Sequence, residues 1–162
     1  MKIIYCIRHA KSSWEDYSLP DLERPLNNRG RRDAPVMAGH LSKKNANFDL
    51  LLLSPSKRTR ETADYFNSAL NISQITIKDE IYHATLDTLM ETITDFSPSI
   101  NTACIIGHNP GMTYLYNQFS SNLLDNLPTC GIFCLKISAE NWSDMDTSNT
   151  IADHLIYPKL YL

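Results

Sequence analysis

Short runs of consecutive apolar residues alternate along the chain with longer stretches in which apolar residues recur at helical spacing. The runs predict strands, because a strand buried on both faces carries apolar side chains at successive positions. Strands are predicted at residues 2–7, 49–53, 75–78, 103–106, 129–137 and 151–157. Helices are predicted at residues 33–44, 56–70, 85–96 and 112–121, with a polar loop over 15–28 and a turn over 27–32. Strands that alternate with helices predict an α/β fold whose largely parallel sheet is covered on both faces.

Length and charge limit the kind of protein this chain can be. Its 162 residues predict one domain over 1–162, and its net charge of −3 disfavours a general nucleic-acid binder. Basic clusters at residues 29–32 and 57–60 are interpreted as solvated helix faces. The apolar stretch before Arg8 is shorter than the roughly 7–15 residues of a secretory signal, and no run is long enough to cross a membrane. We therefore expect a cytoplasmic protein with neither a nucleic-acid nor a membrane partner.

The cysteine and histidine pattern disfavours a structural metal. The four cysteines form no CxxC pair and lie inside predicted strands, so all four are expected to be reduced core residues. A site of three histidines is not expected either, because the two strand-end histidines described next need free ring nitrogens. The sequence therefore predicts no metal and no cofactor.

Basic side chains follow three of the predicted strands at the point where each strand ends. Arg8 and His9 come directly after the first strand, Arg58 follows the second, and His108 follows the strand over 103–106. The carboxyl ends of parallel strands meet at one edge of the sheet, where ligands collect. Two guanidinium groups and two imidazoles in one place repel each other unless an anion binds between them. The sequence therefore predicts an anion site at this edge.

A phosphoryl group is the anion that fits these side chains best. The planar N–H donors of arginine can pair with two phosphoryl oxygens at once. In the transition state of phosphoryl transfer, negative charge spreads over three oxygens of the phosphoryl group. One histidine, neutral and with a nitrogen facing phosphorus, is expected to attack and form a phosphohistidine. The other can be cationic and stabilise the transferring group.

The same residues carry a resemblance to a known family. The segments around Arg8-His9-Ala10, around Ser54 with Arg58 and Thr62, and over residues 107–111 (GHNPG) resemble three motifs of the histidine phosphatase, or phosphoglycerate mutase-like, superfamily. More narrowly, RHAKSSW, ERPLNNRG, LLSPSKRTRETA and LPTCG are similar to the compact SixA-type phosphohistidine phosphatases, nearly over the whole chain. The resemblance implies a three-layer αβα sandwich with a mostly parallel sheet and one antiparallel strand, expected after Gly131.

The resemblance also implies roles for individual residues. His9 is expected to be the phosphorylated nucleophile, with Arg8, Arg58 and His108 around the phosphate. Ser12 matches a further phosphate-side position of mutase-type members, and Asn109 is also expected to bind phosphate. Two positions depart from the family pattern: Ala10 stands where glycine usually follows the nucleophile, and Glu15 stands where mutase-type members have an asparagine. Glutamate cannot donate a hydrogen bond to phosphate.

The proton donor and the substrate stay open at this stage. Family members that release an alkoxide carry an acid after the third strand, which makes Glu80 the candidate, although it could equally be a solvated charge. His83 lies near the expected edge of the site. The favoured function is a SixA-like phosphatase acting on a phosphohistidine-carrying protein. The alternatives are a small-molecule phosphomonoesterase and a non-catalytic module that binds phosphate or a phosphoprotein.

Overall fold

A six-stranded sheet in the order β3-β2-β4-β1-β5-β6 forms the centre of the molecule. The structure is a computed structural model that describes residues 1–44 and 47–162. The strands are β1 (Lys2–Arg8), β2 (Leu50–Leu53), β3 (Ile75–Ile77), β4 (Thr102–Gly107), β5 (Ile132–Ile137) and β6 (Thr150–Ile156). The longer helices are α1 (Asn28–Ser42), α2 (Lys57–Leu70), α3 (Leu86–Thr94) and α4 (Gly111–Phe119).

Strand direction matches the sequence prediction. β1, β2, β3 and β4 pair in parallel, whereas β5 is antiparallel to both β1 and β6. The one reversed strand is therefore β5, which directly follows Gly131. The mostly parallel sheet with one antiparallel strand is confirmed.

Helices cover both faces of the sheet, and neighbouring residues of one strand point into different cores. Ile105 of β4 packs with α3 and α4 through residues such as Leu89 and Met112. Ile106, the next residue, packs with α1 and α2 through Met37 and Phe66. Because the central strands β1, β2, β4 and β5 are buried on both sides, most of their positions are apolar, which explains their continuous apolar runs. The three-layer αβα arrangement follows from these two cores.

The cysteines and the helices agree with the sequence predictions on two further points. Cys6, Cys104, Cys130 and Cys134 are free and buried. Within residues 1–44 and 47–162, no helix has the length and apolarity needed to cross a membrane. The cytoplasmic location and the single domain over 1–162 stay predictions.

Helix α1 begins earlier than predicted. The predicted turn over 27–32 is wrong, because the helix starts at Asn28 and the Asn27 side chain accepts a hydrogen bond from the Gly30 amide at 2.9 Å. This is an ordinary N-cap contact. The predicted start placed Pro35 in the first turn, but Pro35 lies inside the helix. The cap at Asn27 and the buried face of α1 outweigh the hydrogen bond that proline removes.

Candidate active site

The two predicted histidines meet at the carboxyl edge of the sheet. His9 follows β1, and His108 follows the neighbouring strand β4. Their ring centroids are 5.1 Å apart, with 59° between the ring planes. Both residues are buried, at 8% and 3% exposed. The parallel pairing of β1 and β4 therefore brings together two side chains that are far apart in the sequence.

One nitrogen of His9 is engaged by the backbone. Its Nδ1 lies 2.7 Å from the Ala10 carbonyl oxygen. A carbonyl only accepts, so Nδ1 carries the proton and Nε2 keeps its lone pair. Burial, with Arg58 and Arg8 nearby, lowers the pKa of His9 to about 3, although the bond to Ala10 acts in the opposite direction. Near neutral pH, His9 is thus an uncharged ring with an unprotonated Nε2.

His108 is held in the opposite tautomer. Its Nδ1 lies 3.4 Å from Nη2 of Arg58, which only donates, and its Nε2 lies 2.7 Å from Oγ of Ser54. His108 therefore donates from Nε2, and Ser54 is linked onward to Thr59 at 3.1 Å. Burial, together with His9 and Arg58, lowers the pKa of His108 to about 2. The protein's own groups keep this ring neutral, and a bound phosphoryl dianion would favour its protonation.

Arg58 links the buried rings to the loop before α1. It lies in the first turn of α2 and is 3% exposed. Its Nη1 donates to the Asp21 carbonyl at 2.6 Å, and its Nη2 donates to Oδ2 of Asp21 at 2.9 Å. A cation at a helix N-terminus opposes the helix dipole. Asp21 supplies negative charge at this point.

Sequence reasoning missed Asp21 altogether. Besides Arg58, its Oδ2 accepts a hydrogen bond from the Tyr82 hydroxyl and lies 3.1 Å from Nε2 of His83. Partial burial raises the pKa of Asp21, but the hydrogen bonds from Tyr82, Arg58 and His83 outweigh it and hold the pKa well below its usual value. The only available signal was the length of the polar loop beside a predicted site.

His83 lies at the rim of the same site, as the sequence suggested. Its ring centroid is 4.8 Å from that of His108 and 4.3 Å from that of Tyr82. The side chain is 51% exposed, unlike those of His9 and His108. The site therefore contains three histidines, two buried and one exposed to solvent.

Arg8 and Asn109 converge on a single carbonyl. Nη1 of Arg8 and Nδ2 of Asn109 both donate to the Leu127 oxygen, at 2.7 and 3.0 Å. Burial and the nearby Arg29 lower the pKa of Arg8. In the described part of the chain, Arg8 Nε and Asn109 Oδ1 are buried without a partner. Arg8 also lines a cavity of about 870 Å³ that carries the basic residues Lys11, Arg29, Arg32 and Lys159.

Ser12 and Glu80 have other surroundings. Ser12 is buried and forms an isolated antiparallel bridge with Leu26. The structure does not bring Glu80 to the histidines: its side chain is 50% exposed and lies 3.5 Å from Lys78. It lines a separate cavity with Thr88 that contains neither His9 nor His108. A role for Glu80 as proton donor stays a prediction.

Metal binding has no support in the described residues. Across 1–44 and 47–162, no three His, Cys, Asp or Glu side chains are grouped so that they could hold a metal ion. The absence of a metal requirement stays a prediction.

Comparison with known proteins identifies the family to which this chain belongs. Residues 4–95 match the model of the histidine phosphatase superfamily (branch 1). The chain therefore belongs to the histidine phosphatase superfamily and is a histidine-type phosphatase. An uncharacterized chloroplastic protein of Arabidopsis thaliana is 30% identical over 148 residues, covering 85% of this chain and 67% of that protein. The uncharacterized protein Rv1276c of Mycobacterium tuberculosis is 27% identical, covering 86% of this chain and 92% of that protein.

Two solved structures show to which members of the superfamily this chain is similar. A candidate phosphohistidine phosphatase, SixA from Agrobacterium tumefaciens, superposes with a TM-score of 0.81 at 26% identity, covering 97% of this chain and 98% of that one. The protein histidine phosphatase SixA in complex with tungstate has a TM-score of 0.83 at 18% identity, covering 99% of both chains, and shows the shared fold alone. The sequence predictions of the superfamily and of a compact SixA-type protein are confirmed.

Proposed function

We propose that this phosphatase acts through a phosphohistidine formed on His9 and that its substrate is a phosphohistidine-carrying protein. One observation carries the proposal. The bond from Nδ1 of His9 to the Ala10 carbonyl, at 2.7 Å, leaves Nε2 unprotonated. A nucleophile needs a free lone pair. Because the pKa of His9 is lowered to about 3, no separate base has to remove a proton before attack.

The reaction then has two displacements. In the first, Nε2 of His9 forms a bond to phosphorus while the bond from phosphorus to the leaving group breaks. In the second, water attacks phosphorus, the P–N bond breaks, and its electron pair returns to Nε2 as phosphate leaves. Arg8, Arg58 and His108 bind the phosphoryl oxygens and offset the charge that spreads over them.

The remaining predicted residues have supporting roles in this proposal. Asn109 and Arg8 both donate to the Leu127 carbonyl oxygen. Asn109 therefore helps to hold the group that orients Arg8. Through its bridge to Leu26, Ser12 fixes the loop after His9 on the phosphate side. A direct contact of either side chain with phosphate is the finer expectation that the resemblance supplies.

Two features support a phosphoprotein as the substrate. The similar solved structures include proteins described as phosphohistidine phosphatases. An imidazole leaves phosphorus more readily than an alkoxide, so a phosphohistidine substrate makes a smaller demand on proton donation. Such a substrate therefore suits a site in which Glu80 is half exposed and pairs with Lys78.

A small-molecule phosphomonoesterase is the second candidate, and one observation favours it. The Asp21–His83 pair at the rim, with 3.1 Å between Oδ2 and Nε2, could supply the proton that an alkoxide needs.

Parallel hydrolysis assays test the proposal. The full chain is incubated with a protein phosphorylated on histidine and, separately, with p-nitrophenyl phosphate, each with and without a chelator. We expect hydrolysis of both, faster for the phosphoprotein, unchanged by the chelator and absent in His9→Ala. The matched control is His40→Ala, because His40 lies in α1 and stacks on Tyr161 instead of lining the site. Binding of the phosphoprotein without hydrolysis of either substrate would indicate the non-catalytic module.

A further inference from the structure

His83 lies at the rim of the site with a left-handed backbone. It follows the short 3-10 turn Asp79–Ile81 after β3. Its φ is 51°, in the left-handed region, which is uncommon for residues other than glycine, although histidine adopts it more often than most. Backbone strain of this kind persists only where surrounding contacts hold it, and it is enriched at functional sites. Here it directs the ring towards His108, with 4.8 Å between ring centroids.

Asp21 fixes the orientation of the His83 ring. Oδ2 of Asp21 lies 3.1 Å from Nε2 of His83. A carboxylate only accepts, so Nε2 carries a proton and Nδ1 is the nitrogen free for exchange with a ligand. Asp21 is itself held by Arg58 and Tyr82, so it cannot turn away without losing those contacts. The ring is oriented before any substrate binds.

The groups around His83 make it suited to exchange a proton. The facing groups are Asp21 from the loop before α1, Tyr82 on its own segment, His108 after β4 and, through Asp21, Arg58 of α2. The Asp21 carboxylate contacts the His83 ring at 3.1 Å and the Arg58 guanidinium at 2.9 Å. Half-exposure also avoids the desolvation that keeps His9 and His108 neutral. Histidine is also the side chain most often used for general acid and base catalysis.

We propose that His83, oriented by Asp21, is the proton donor of the reaction. This inference rests on the proposed phospho-His9 mechanism. As Nε2 of His9 bonds to phosphorus, the Nδ1 proton of the His83 imidazolium moves to the leaving atom, and the bond from phosphorus to that atom breaks. Neutral His83 then takes a proton from the water that attacks phospho-His9. Phosphate leaves, and His83 is again an imidazolium.

This assignment accounts for Glu80. The donor was expected after the third strand, and His83 lies in that segment, three positions beyond Glu80. Of the two, only His83 faces the buried rings, whereas Glu80 lies 3.5 Å from Lys78. The position of the donor along the chain is thus kept, and its chemical type changes from a carboxylic acid to an imidazolium.

The dependence of rate on the leaving group tests this role. His83→Asn is the appropriate variant, because asparagine tolerates a left-handed backbone and adds no charge. Substrates are phenyl phosphate, whose leaving group needs a proton, and 2,4-dinitrophenyl phosphate, whose leaving group does not. We expect kcat/KM for phenyl phosphate to fall by roughly 10²-fold or more, the usual size of general acid catalysis. For the dinitrophenyl ester the expected decrease is about threefold or less, since the remaining site still supports attack by His9.

Two further measurements separate catalysis from structure. Asp21→Asn should also reduce hydrolysis of phenyl phosphate more than that of the dinitrophenyl ester. The alkaline decline of kcat/KM for phenyl phosphate, caused by deprotonation of the donor, should disappear in His83→Asn. His40→Asn is the matched control and should not change the ratio between the two esters.

The failures of the two proposals are distinguishable. If the wild-type chain hydrolyses neither ester nor a phosphohistidine protein, the proposed function fails. If the wild type is active and His83→Asn slows both esters equally, the phosphatase proposal stands and His83 is not the donor.

Discussion

The site contains two regions in which the same side chain has opposite surroundings. His9 and His108 are 8% and 3% exposed, and burial lowers their pKa values to about 3 and about 2. The His83 side chain is 51% exposed and pairs with a carboxylate. Burial thus keeps both rings neutral before phosphate binds and leaves Nε2 of His9 free to attack, whereas the rim provides an exposed ring beside a carboxylate. The surroundings of each histidine, and not its residue type, determine its role in the site.

Removing the link between the two regions should have the largest effect. Arg58 contacts His108 on one side and Asp21 on the other. Arg58→Ala should lower kcat/KM by roughly 10²- to 10³-fold, because a transition-state donor is lost. Arg58→Lys should recover little of this, since lysine lacks the planar pair of donors. Steady-state kinetics with p-nitrophenyl phosphate measures both variants.

Arg60 provides the control for that prediction. It lies in the same helix but is exposed. Arg60→Ala should leave kcat/KM within about twofold of wild type, as for most surface changes. Equal losses in Arg58→Ala and Arg60→Ala would show that general charge, not the contacts of Arg58, matters.

The buried region should make stability depend on pH. The pKa values of His9 and His108 are lower in the folded protein than the roughly 6.5 of an unfolded chain. Their stabilising contribution is therefore complete above about pH 6.5 and is lost as pH falls towards 3. The free energy of unfolding should decrease with a slope that approaches two protons, or roughly 2.7 kcal/mol per pH unit.

Urea unfolding between pH 7.5 and pH 4.5 measures that slope. Replacing one ring, as in His9→Gln, should halve it. An unfolding free energy that stays constant between pH 7 and pH 5 would contradict the assignment of both rings as neutral.

Loss of the partner that orients His108 should have a moderate effect. Ser54 accepts the Nε2 proton of His108 at 2.7 Å. Ser54→Ala leaves that buried donor unpaired, which should lower the unfolding free energy by about 1–3 kcal/mol. The kcat/KM value should fall about tenfold as the ring loses the contact that orients it, a difference of roughly 1.4 kcal/mol. Ser68→Ala, at an exposed position of α2, is the control. If Ser54→Ala has full activity, the hydrogen bond does not orient the ring.

The smallest effect is expected at Glu80. If the rim histidine donates the proton, Glu80→Gln should change kcat/KM for phenyl phosphate by less than about twofold, as at other surface positions. A loss of roughly 10²-fold would return the donor role to Glu80.

The sheet and the residues at its carboxyl edge could be predicted from the sequence. Continuous apolar runs marked buried strands, and the rule that parallel strand ends share one edge placed His9, Arg58 and His108 together. These predictions rest on local periodicity and on strand direction, which are visible along the chain.

The rest of the site depends on long-range contacts, which leave no periodic pattern in the sequence. Asp21 lies in a polar loop, and its partners Arg58, Tyr82 and His83 are 37, 61 and 62 positions away. A carboxylate in such a loop is indistinguishable in sequence from a solvated charge. The early start of α1 has a different cause, since a proline is typical of a first helical turn, whereas here the helix begins seven residues before Pro35, where the Gly30 amide donates to the Asn27 side chain.

Trapping the covalent intermediate tests the central claim most directly. A labelled phosphodonor is mixed with the full chain, the reaction is quenched within milliseconds to seconds, and the labelled residue and nitrogen are identified by peptide mapping and phosphorus NMR. The account predicts acid-labile, base-stable label on Nε2 of His9, and none in His9→Ala. Label that persists in His9→Ala, or that lies on another residue, would contradict it.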